Sequence, residues 1–299
     1  MATSTHRPIV VGVDGSPSSL AAAHLAADLA VRRTAPLHLV CGYQVPMYGY
    51  LPVGIVDRYA IDDVRAREDL HQRLAATAKQ IRADHPALAD VRTHVLSGTA
   101  AAVVIEASRT AAATVVGCRG IGGFAGLLLG SVSAQVSAHG YGPVIVVRPP
   151  IPDRPTGHEQ PPYEPPAGPV VVGVDRSPAS KAAIRFAADE ARWRGVPLMA
   201  VHAYRDEGGE TDTVLAENLL ANRILPASRA YPDLDVELRA VEVPDIETAM
   251  IEASRGAGLV VVGCRGVGGF AGLLLGSVSR ALVHHAYAPV AVIHPSSEQ

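Results

Sequence analysis

Residues 117–133 read GCRGIGGFAGLLLGSVS, and residues 263–279 read GCRGVGGFAGLLLGSVS. The two stretches differ at one position, where Ile121 in the first is matched by Val267 in the second. A second matching pair lies upstream, with IVVGVDGSP at residues 9–17 and VVVGVDRSP at residues 170–178. Agreement over two separate segments indicates an internal duplication, so the chain consists of two copies of one unit.

The two copies differ in length. The offset between them is 161 residues at the first motif and 146 at the second, so the first copy holds 15 extra residues. We place these extra residues in a Pro/Gly/Tyr-rich stretch, from Gln44 to Tyr59, and predict a long loop there. A proline-rich segment separates the copies. The predicted division is a first domain at 1–149, a linker at 150–167 and a second domain at 168–299.

Short apolar runs bounded by turn residues predict five strands in each copy. The first helix of each copy is predicted to begin at a serine followed by a proline, Ser16-Pro17 and Ser177-Pro178. Alternating strands and helices, with continuously apolar strands, indicate the α/β class: two tandem doubly wound domains, each with a five-stranded parallel sheet. The predicted strands are Ile9–Val13, Leu37–Cys41, Val91–Leu96, Thr114–Cys118, Val144–Val147, Val170–Val174, Leu198–Ala203, Val236–Val241, Leu259–Cys264 and Val290–Ile293.

The glycine-rich loops follow the fourth strand of each copy. A phosphate needs backbone N–H donors without a side chain in the way, and a helix N-terminus supplies both donors and a favourable dipole. The competing interpretation is that these glycines only form a tight turn. A Walker-type site is excluded, because neither copy contains GxxxxGK[ST]. The formal GxGxxA match at 120–125 follows the fourth strand, whereas the dinucleotide fingerprint follows the first.

An aspartate closes the first strand of each copy, Asp14 and Asp175. At the carboxyl edge of a doubly wound sheet, such an acid could accept hydrogen bonds from a nucleoside or orient a metal through water. It could equally satisfy free N–H groups where the helix starts. Arg119 and Arg265, inside the loops, could meet phosphate oxygens or face solvent. The sequence contains no GxSxG or HExxH motif, so it offers little sign of catalytic machinery.

Composition excludes several other classes of protein. The formal net charge is −3 and basic residues form no run, which argues against nucleic-acid binding and against docking on an anionic membrane. No apolar signal core or stretch of about 18 apolar residues is present, so we predict neither a secretory leader nor membrane insertion. The three cysteines form no CxxC pair and fit a reducing, cytoplasmic location.

The combination of V-G-V-D after the first strand with G-x2-G-x9-G-S after the fourth resembles the universal stress protein family, in its tandem two-domain form. The resemblance covers nearly the whole chain, and both copies carry the full pattern. It implies ATP as the ligand at two sites, with Mg²⁺, and dimerisation through the last strand, either as a homodimer or within the chain. The implied last strands are Pro143–Arg148 and Pro289–His294.

Together, the motifs and the resemblance predict two nucleotide sites. In the first copy the binding residues would be Gly12, Asp14, Val40, Gly117, Cys118, Arg119, Gly120, Gly122, Gly123, Gly130, Ser131 and Val132. In the second copy they would be Gly173, Asp175, Val201, Gly263, Cys264, Arg265, Gly266, Gly268, Gly269, Gly276, Ser277 and Val278.

The leading hypothesis is an ATP-binding regulator of stress or dormancy adaptation that acts on an unidentified protein partner. A slow ATPase or nucleotidyl-transfer enzyme is the second hypothesis, and a non-enzymatic interaction scaffold is the third. The extra residues of the first copy leave open whether both sites are covered equally.

Overall fold

The computed structural model describes residues 7–44, 56–120, 128–148, 166–205, 210–266 and 274–295. It divides into two compact units, Met1–Val136 and Ser137–Gln299. Within the described residues, no helix is long and apolar enough to span a bilayer.

The first unit alternates strands and helices. Its elements are β1 (Ile9–Gly12), α1 (Pro17–Arg32), β2 (Leu37–Tyr43), α2 (Val56–Asp84), β3 (Val91–Ser97), α3 (Ala100–Ser108), β4 (Ala113–Gly117) and the start of α4 (Ser131–His139). The strands lie in the order β3-β2-β1-β4, and all neighbouring pairs are parallel. The chain runs outward from β1 through β2 to β3 and then returns to place β4 along the other edge of β1. Its winding direction therefore reverses between β1 and β4.

The second unit repeats this winding. Its elements are β5 (Pro143–Val147), β6 (Val170–Gly173), α5 (Pro178–Arg194), β7 (Leu198–Tyr204), α6 (Glu210–Ala230), β8 (Val236–Glu242), α7 (Ile246–Ala253), β9 (Leu259–Gly263), α8 (Ser277–His285) and β10 (Val290–Ile293). The strand order is β5-β10-β9-β6-β7-β8. The corresponding reversal falls between β6 and β9, which pair in parallel.

The predicted α/β class and tandem doubly wound organisation are confirmed, and each of the ten predicted strands is present. The strands that form the reversals are buried, because helices cover both of their faces. Ile9, Val11, Val115 and Val261 are fully buried. The predicted helix starts are also confirmed: the Ser16 and Ser177 side chains accept hydrogen bonds from the N–H groups of Ser19 and Ser180.

The predicted long loop in the first copy is shorter than expected. Residues 56–59, which we assigned to it, belong to α2, and residues 45–55 lie outside the described part of the chain. No glycine or proline occurs between Val56 and Asp84, so nothing in that stretch interrupts a helix. Helix α2 therefore has 29 residues, whereas its counterpart α6 has 21.

Strand β5 belongs to the first copy of the repeat but lies in the second unit. It pairs with β10, with Ile145 opposite Ala291, and this pairing is antiparallel, unlike the other pairs in the two strand orders above. The guanidinium of Arg148, just after β5, donates hydrogen bonds to the carbonyls of Val283 (3.3 Å) and His284 (2.7 Å) at the end of α8. The two last strands implied by the resemblance thus pair with each other inside one chain.

Candidate functional site

Each winding reversal opens a cavity at the carboxyl ends of its strands, which is where doubly wound sheets bind ligands. The first cavity has a volume of about 450 Å³ and the second about 470 Å³. Both volumes fall within the ~300–1,000 Å³ range of small-molecule sites. Described residues that line the first cavity include Gly12, Asp14, Val40, Gly117, Arg119, Gly120, Gly130, Ser131 and Val132. The second is lined by Gly173, Asp175, Val201, Gly263, Arg265, Gly266, Gly276, Ser277 and Val278.

The aspartates use their two carboxylate oxygens differently. Oδ1 of Asp14 accepts a hydrogen bond from the N–H of Ser16 at 2.9 Å, so one oxygen serves the start of α1. Oδ2 is directed at the glycine-rich loop, because a Cβ built on Gly120 would lie 2.5 Å from it. Asp175 repeats this arrangement, with Ser177 at 2.9 Å and Gly266 at 2.7 Å. The helix-start role therefore accounts for one oxygen, and the other faces the cavity.

The first glycine of each loop is required by packing inside the protein. A Cβ on Gly117 would lie 2.5 Å from the backbone carbonyl carbon of Ser18 in α1. A Cβ on Gly263 would lie 2.8 Å from the Cβ of Ala179 in α5. These glycines let the strand end approach the first helix, which brings the loop to the aspartate.

The last glycine of each loop positions a helix N-terminus. The N–H of Gly130 donates to the carbonyl of Cys118 at 2.7 Å, and Gly276 does the same to Cys264 at 2.8 Å. Gly276 is the N-cap of α8, and a glycine has no side chain to accept hydrogen bonds from the first turn. Helix α4 begins at Ser131 and helix α8 at Ser277. The free N–H groups of their first turns therefore lie beside the cavities, where they favour binding of an anion.

Two cysteines that we predicted to bind ligand lie beneath the loops. Cys118 and Cys264 are buried and are not among the residues that line the cavities. Their carbonyls also accept hydrogen bonds from the Ser133 and Ser279 hydroxyls, at 2.9 and 3.0 Å. Burial raises the pKa of the Cys264 thiol, although the Arg265 side chain opposes that shift. Both cysteines therefore support the loop through their main chains.

The other predicted residues fall into two groups. Val40 and Val201 lie in the cavity walls, in the middle of β2 and β7, where their carbonyls accept hydrogen bonds from the N–H groups of Val13 (2.9 Å) and Val174 (2.8 Å). The middle glycines of the loops are outside the described residues: Gly122, Gly123, Gly268 and Gly269.

One wall of each cavity was not predicted from the sequence. In the first cavity it is formed by Cys41 and Gly42 of β2 with Ala100 and Val104 of α3. Burial, and then the nearby Asp14 charge, raises the pKa of the Cys41 thiol. In the second cavity the corresponding wall is formed by Ala203, Ile246 and Met250. An alignment of the copies would have paired these positions, because Gly42 and Ala203 are separated by the 161-residue offset of the first motif, and Val104 and Met250 by the 146-residue offset of the glycine loops.

Comparisons with known proteins agree with this architecture. A sequence model of the universal stress protein family matches residues 5–148 and 167–294. Universal stress protein Rv1996 of Mycobacterium tuberculosis is 39% identical over 316 residues, covering 97% of this chain and 96% of that protein. Universal stress protein Rv2623 of the same species is 34% identical, covering 96% of each.

A solved structure shares the fold at lower identity. The crystal structure of a universal stress protein from Archaeoglobus fulgidus DSM 4304 has a TM-score of 0.69 and 19% identity, covering 97% of this chain and 99% of that one. Two copies of a doubly wound domain, each with a cavity at its winding reversal, define a tandem α/β protein. With the family matched over both copies, this chain belongs to the universal stress protein family.

Proposed function

We propose that this protein binds one ATP molecule at each cavity and acts as a nucleotide-dependent regulator of stress or dormancy adaptation. The observation that carries the proposal is the recurrence of one construction in both copies. A carboxylate oxygen, a glycine loop and a helix N-terminus without a capping side chain converge on a cavity of about 450–470 Å³. That set matches a nucleotide, which has hydroxyl donors at one end and anionic phosphates at the other.

The residues present also fit a magnesium ion that accompanies the nucleotide. Mg²⁺ is usually held by one or two carboxylates together with substrate phosphates. Oδ2 of Asp14 and Oδ2 of Asp175 each offer one carboxylate oxygen beside a loop. When bound, the ion would neutralise phosphate charge, while Arg119 and Arg265 would add positive charge from the protein.

We further propose that the protein acts in the cytoplasm and that nucleotide binding changes a surface recognised by a protein partner. The antiparallel pairing of β5 with β10 supports a chain that pairs its own last strands, in place of a homodimer formed through them.

The test begins with protein purified without added nucleotide. After heat denaturation, mass spectrometry of the supernatant should detect adenine nucleotide, and calorimetry on the emptied protein should detect ATP binding. Absence of both signals would overturn the proposal.

Paired variants isolate the carboxylate. The double variant Asp14→Asn with Asp175→Asn keeps an Oδ1 acceptor for the helix start but removes the charge, whereas Asp14→Ala with Asp175→Ala removes both. If the carboxylates serve ligand, both pairs should lose affinity. If they serve only α1 and α5, the asparagine pair should bind ATP like the parent protein.

A further inference from the structure

The entry into the first loop is held to helix α1 at two points. The hydroxyl of Ser16 donates a hydrogen bond to the carbonyl of Arg119 at 3.1 Å. The N–H of Arg119 donates to the hydroxyl of Ser18 at 3.3 Å, and that hydroxyl also donates to Sγ of Cys118. Both main-chain polar groups of Arg119 are therefore engaged by serines at the N-terminus of α1, an arrangement that we call the serine clamp.

The second copy lacks this arrangement at the equivalent residue, Arg265. The position of Ser18 is occupied by Ala179, which has no hydroxyl. The hydroxyl of Ser177 donates to Oδ1 of Asp175 at 2.6 Å, so it is not directed at the loop as Ser16 is. The loops themselves are nearly identical, so the difference comes from the helix beneath them.

We infer that the serine clamp preorganises the first nucleotide site, and that Ser16 and Ser18 are positioning residues for nucleotide binding. Arg119 and Gly120 line the first cavity, so fixing the Arg119 peptide fixes part of the wall that meets the ligand. A wall that is ordered before binding loses less conformational freedom when the ligand arrives. This inference rests on the proposed function for the affinity of the site, but not for the order of the loop.

Burial makes the clamp effective. Ser16 and Ser18 are 4% and 5% exposed, so water competes poorly for their hydrogen bonds. Removing the Ser18 hydroxyl would leave the Arg119 N–H without that acceptor. The loop entry would then open more often, and amide exchange detects such local opening in the absence of any ligand.

The experiment exchanges the two copies at this one position. Ser18→Ala gives the first copy the residue of the second, and Ala179→Ser makes the reverse change. Ser108→Ala, which removes a fully buried hydroxyl of the first unit outside both cavities, is the matched control. Thermal unfolding and circular dichroism check that each variant folds.

The first readout is amide exchange of Arg119 and Arg265 in nucleotide-free protein, measured by NMR. Ser18→Ala should speed exchange at Arg119 about fivefold, because it removes one hydrogen bond whose net contribution of about 1 kcal/mol corresponds to that factor. Ala179→Ser should slow exchange at Arg265, and Ser108→Ala should change neither. Unchanged exchange at Arg119 in Ser18→Ala would overturn the inference.

The second readout is ATP affinity, measured one site at a time in an Asp175→Ala or Asp14→Ala background. We expect Ser18→Ala to weaken the first site about fivefold, and Ala179→Ser to tighten the second by less, since it restores one of two contacts. If neither Ser18→Ala nor Ala179→Ser changed the ATP affinity of its own site, the inference would be overturned. If Ser18→Ala speeds amide exchange at Arg119 but neither site binds ATP, the proposed function would be overturned, while the role of the serine clamp in ordering the loop would be supported.

Discussion

The glycine loops of the two cavities differ at one residue in 17, yet the other walls are lined by side chains of different size and charge. On the wall formed by the second strand and third helix, the first cavity has Gly42 and Val104, whereas the second has Ala203 and Met250. Beside the start of α8, the second cavity is also lined by Arg280. The two cavities thus share a nearly identical glycine loop, and the residues around that loop make them different.

The contrast at Gly42 is steric. A Cβ on Gly42 would lie 2.6 Å from the Cα of Ala100 and 2.8 Å from its nitrogen, so the start of α3 lies directly against β2. The second copy carries Ala203 at the corresponding position, so a methyl group is accommodated there. Helix α7 must therefore approach β7 less closely at this point than α3 approaches β2.

The largest expected effect tests this difference. Gly42→Ala should lower the stability of the first unit by about 1–3 kcal/mol, because the methyl group would overlap backbone atoms that cannot move aside easily. Ala203→Gly should cost about 1 kcal/mol or less in the second unit, through backbone entropy alone. Scanning calorimetry, with amide exchange to assign each transition to a unit, measures both. Equal losses in the two variants would show that α3 and α7 pack alike.

A smaller effect is expected at Arg280, the fourth residue of α8. A cation so near a helix N-terminus opposes the helix dipole, so its place beside the second cavity suits an anionic ligand. Because Arg280 is exposed, Arg280→Ala should weaken ATP binding at the second site about twofold to fivefold, with less effect on AMP.

The reverse change sharpens the Arg280 prediction. Ala134→Arg should strengthen ATP binding at the first site, and added salt should reduce both effects. Titration calorimetry with ATP and AMP at two salt concentrations provides the measurement. A loss in Arg280→Ala that is the same for AMP as for ATP would contradict a role at the phosphates.

The smallest expected effect concerns acid sensitivity. Burial lowers the pKa of His38, the charges of His94 and Arg92 lower it further, and Asp90 opposes them. Because the folded-state pKa is below the ordinary value of about 6.5, the fold favours neutral His38 and loses stability as the pH falls through and below that value. The second copy has Met199 at this position.

His38→Met should therefore flatten the fall in the unfolding temperature of the first unit between about pH 7.5 and about pH 5.5. His71→Met, at an exposed position on α2, serves as the control and should leave the fall unchanged. An identical pH dependence in His38→Met and the parent protein would assign the acid sensitivity to other groups.

Most of the fold could be predicted because the inner strands of each copy, such as Ile9–Gly12 and Leu259–Gly263, are short apolar runs bounded by turn residues. Val290–Ile293 matched the observed strand, and the remaining predictions deviate by at most two residues at an end. The helix starts were equally readable, since Ser16 and Ser177 combine a capping side chain with a following proline. These features are local, so sequence alone determines them.

The parts that could not be predicted depend on contacts between distant residues. Nothing near Asp14 indicates that one oxygen serves α1 while the other faces Gly120, because that division depends on how β1 and β4 meet. The serine clamp likewise joins residues about a hundred positions apart. The beginning of α2 was misplaced because loop-forming residues precede it closely, and only the uninterrupted stretch after Gly54 indicates a helix.

The pairing of β5 with β10 also bears on the history of the chain. In a single-copy protein such a strand has an open edge, which pairs readily with a matching edge of another molecule. Such an encounter depends on how much protein a cell makes. Once the gene was duplicated and fused, the matching edge was tethered, and its effective concentration was set by the length of the connection. Because Pro143–Val147 and β10 belong to one chain, their pairing does not depend on protein concentration and is a step of folding.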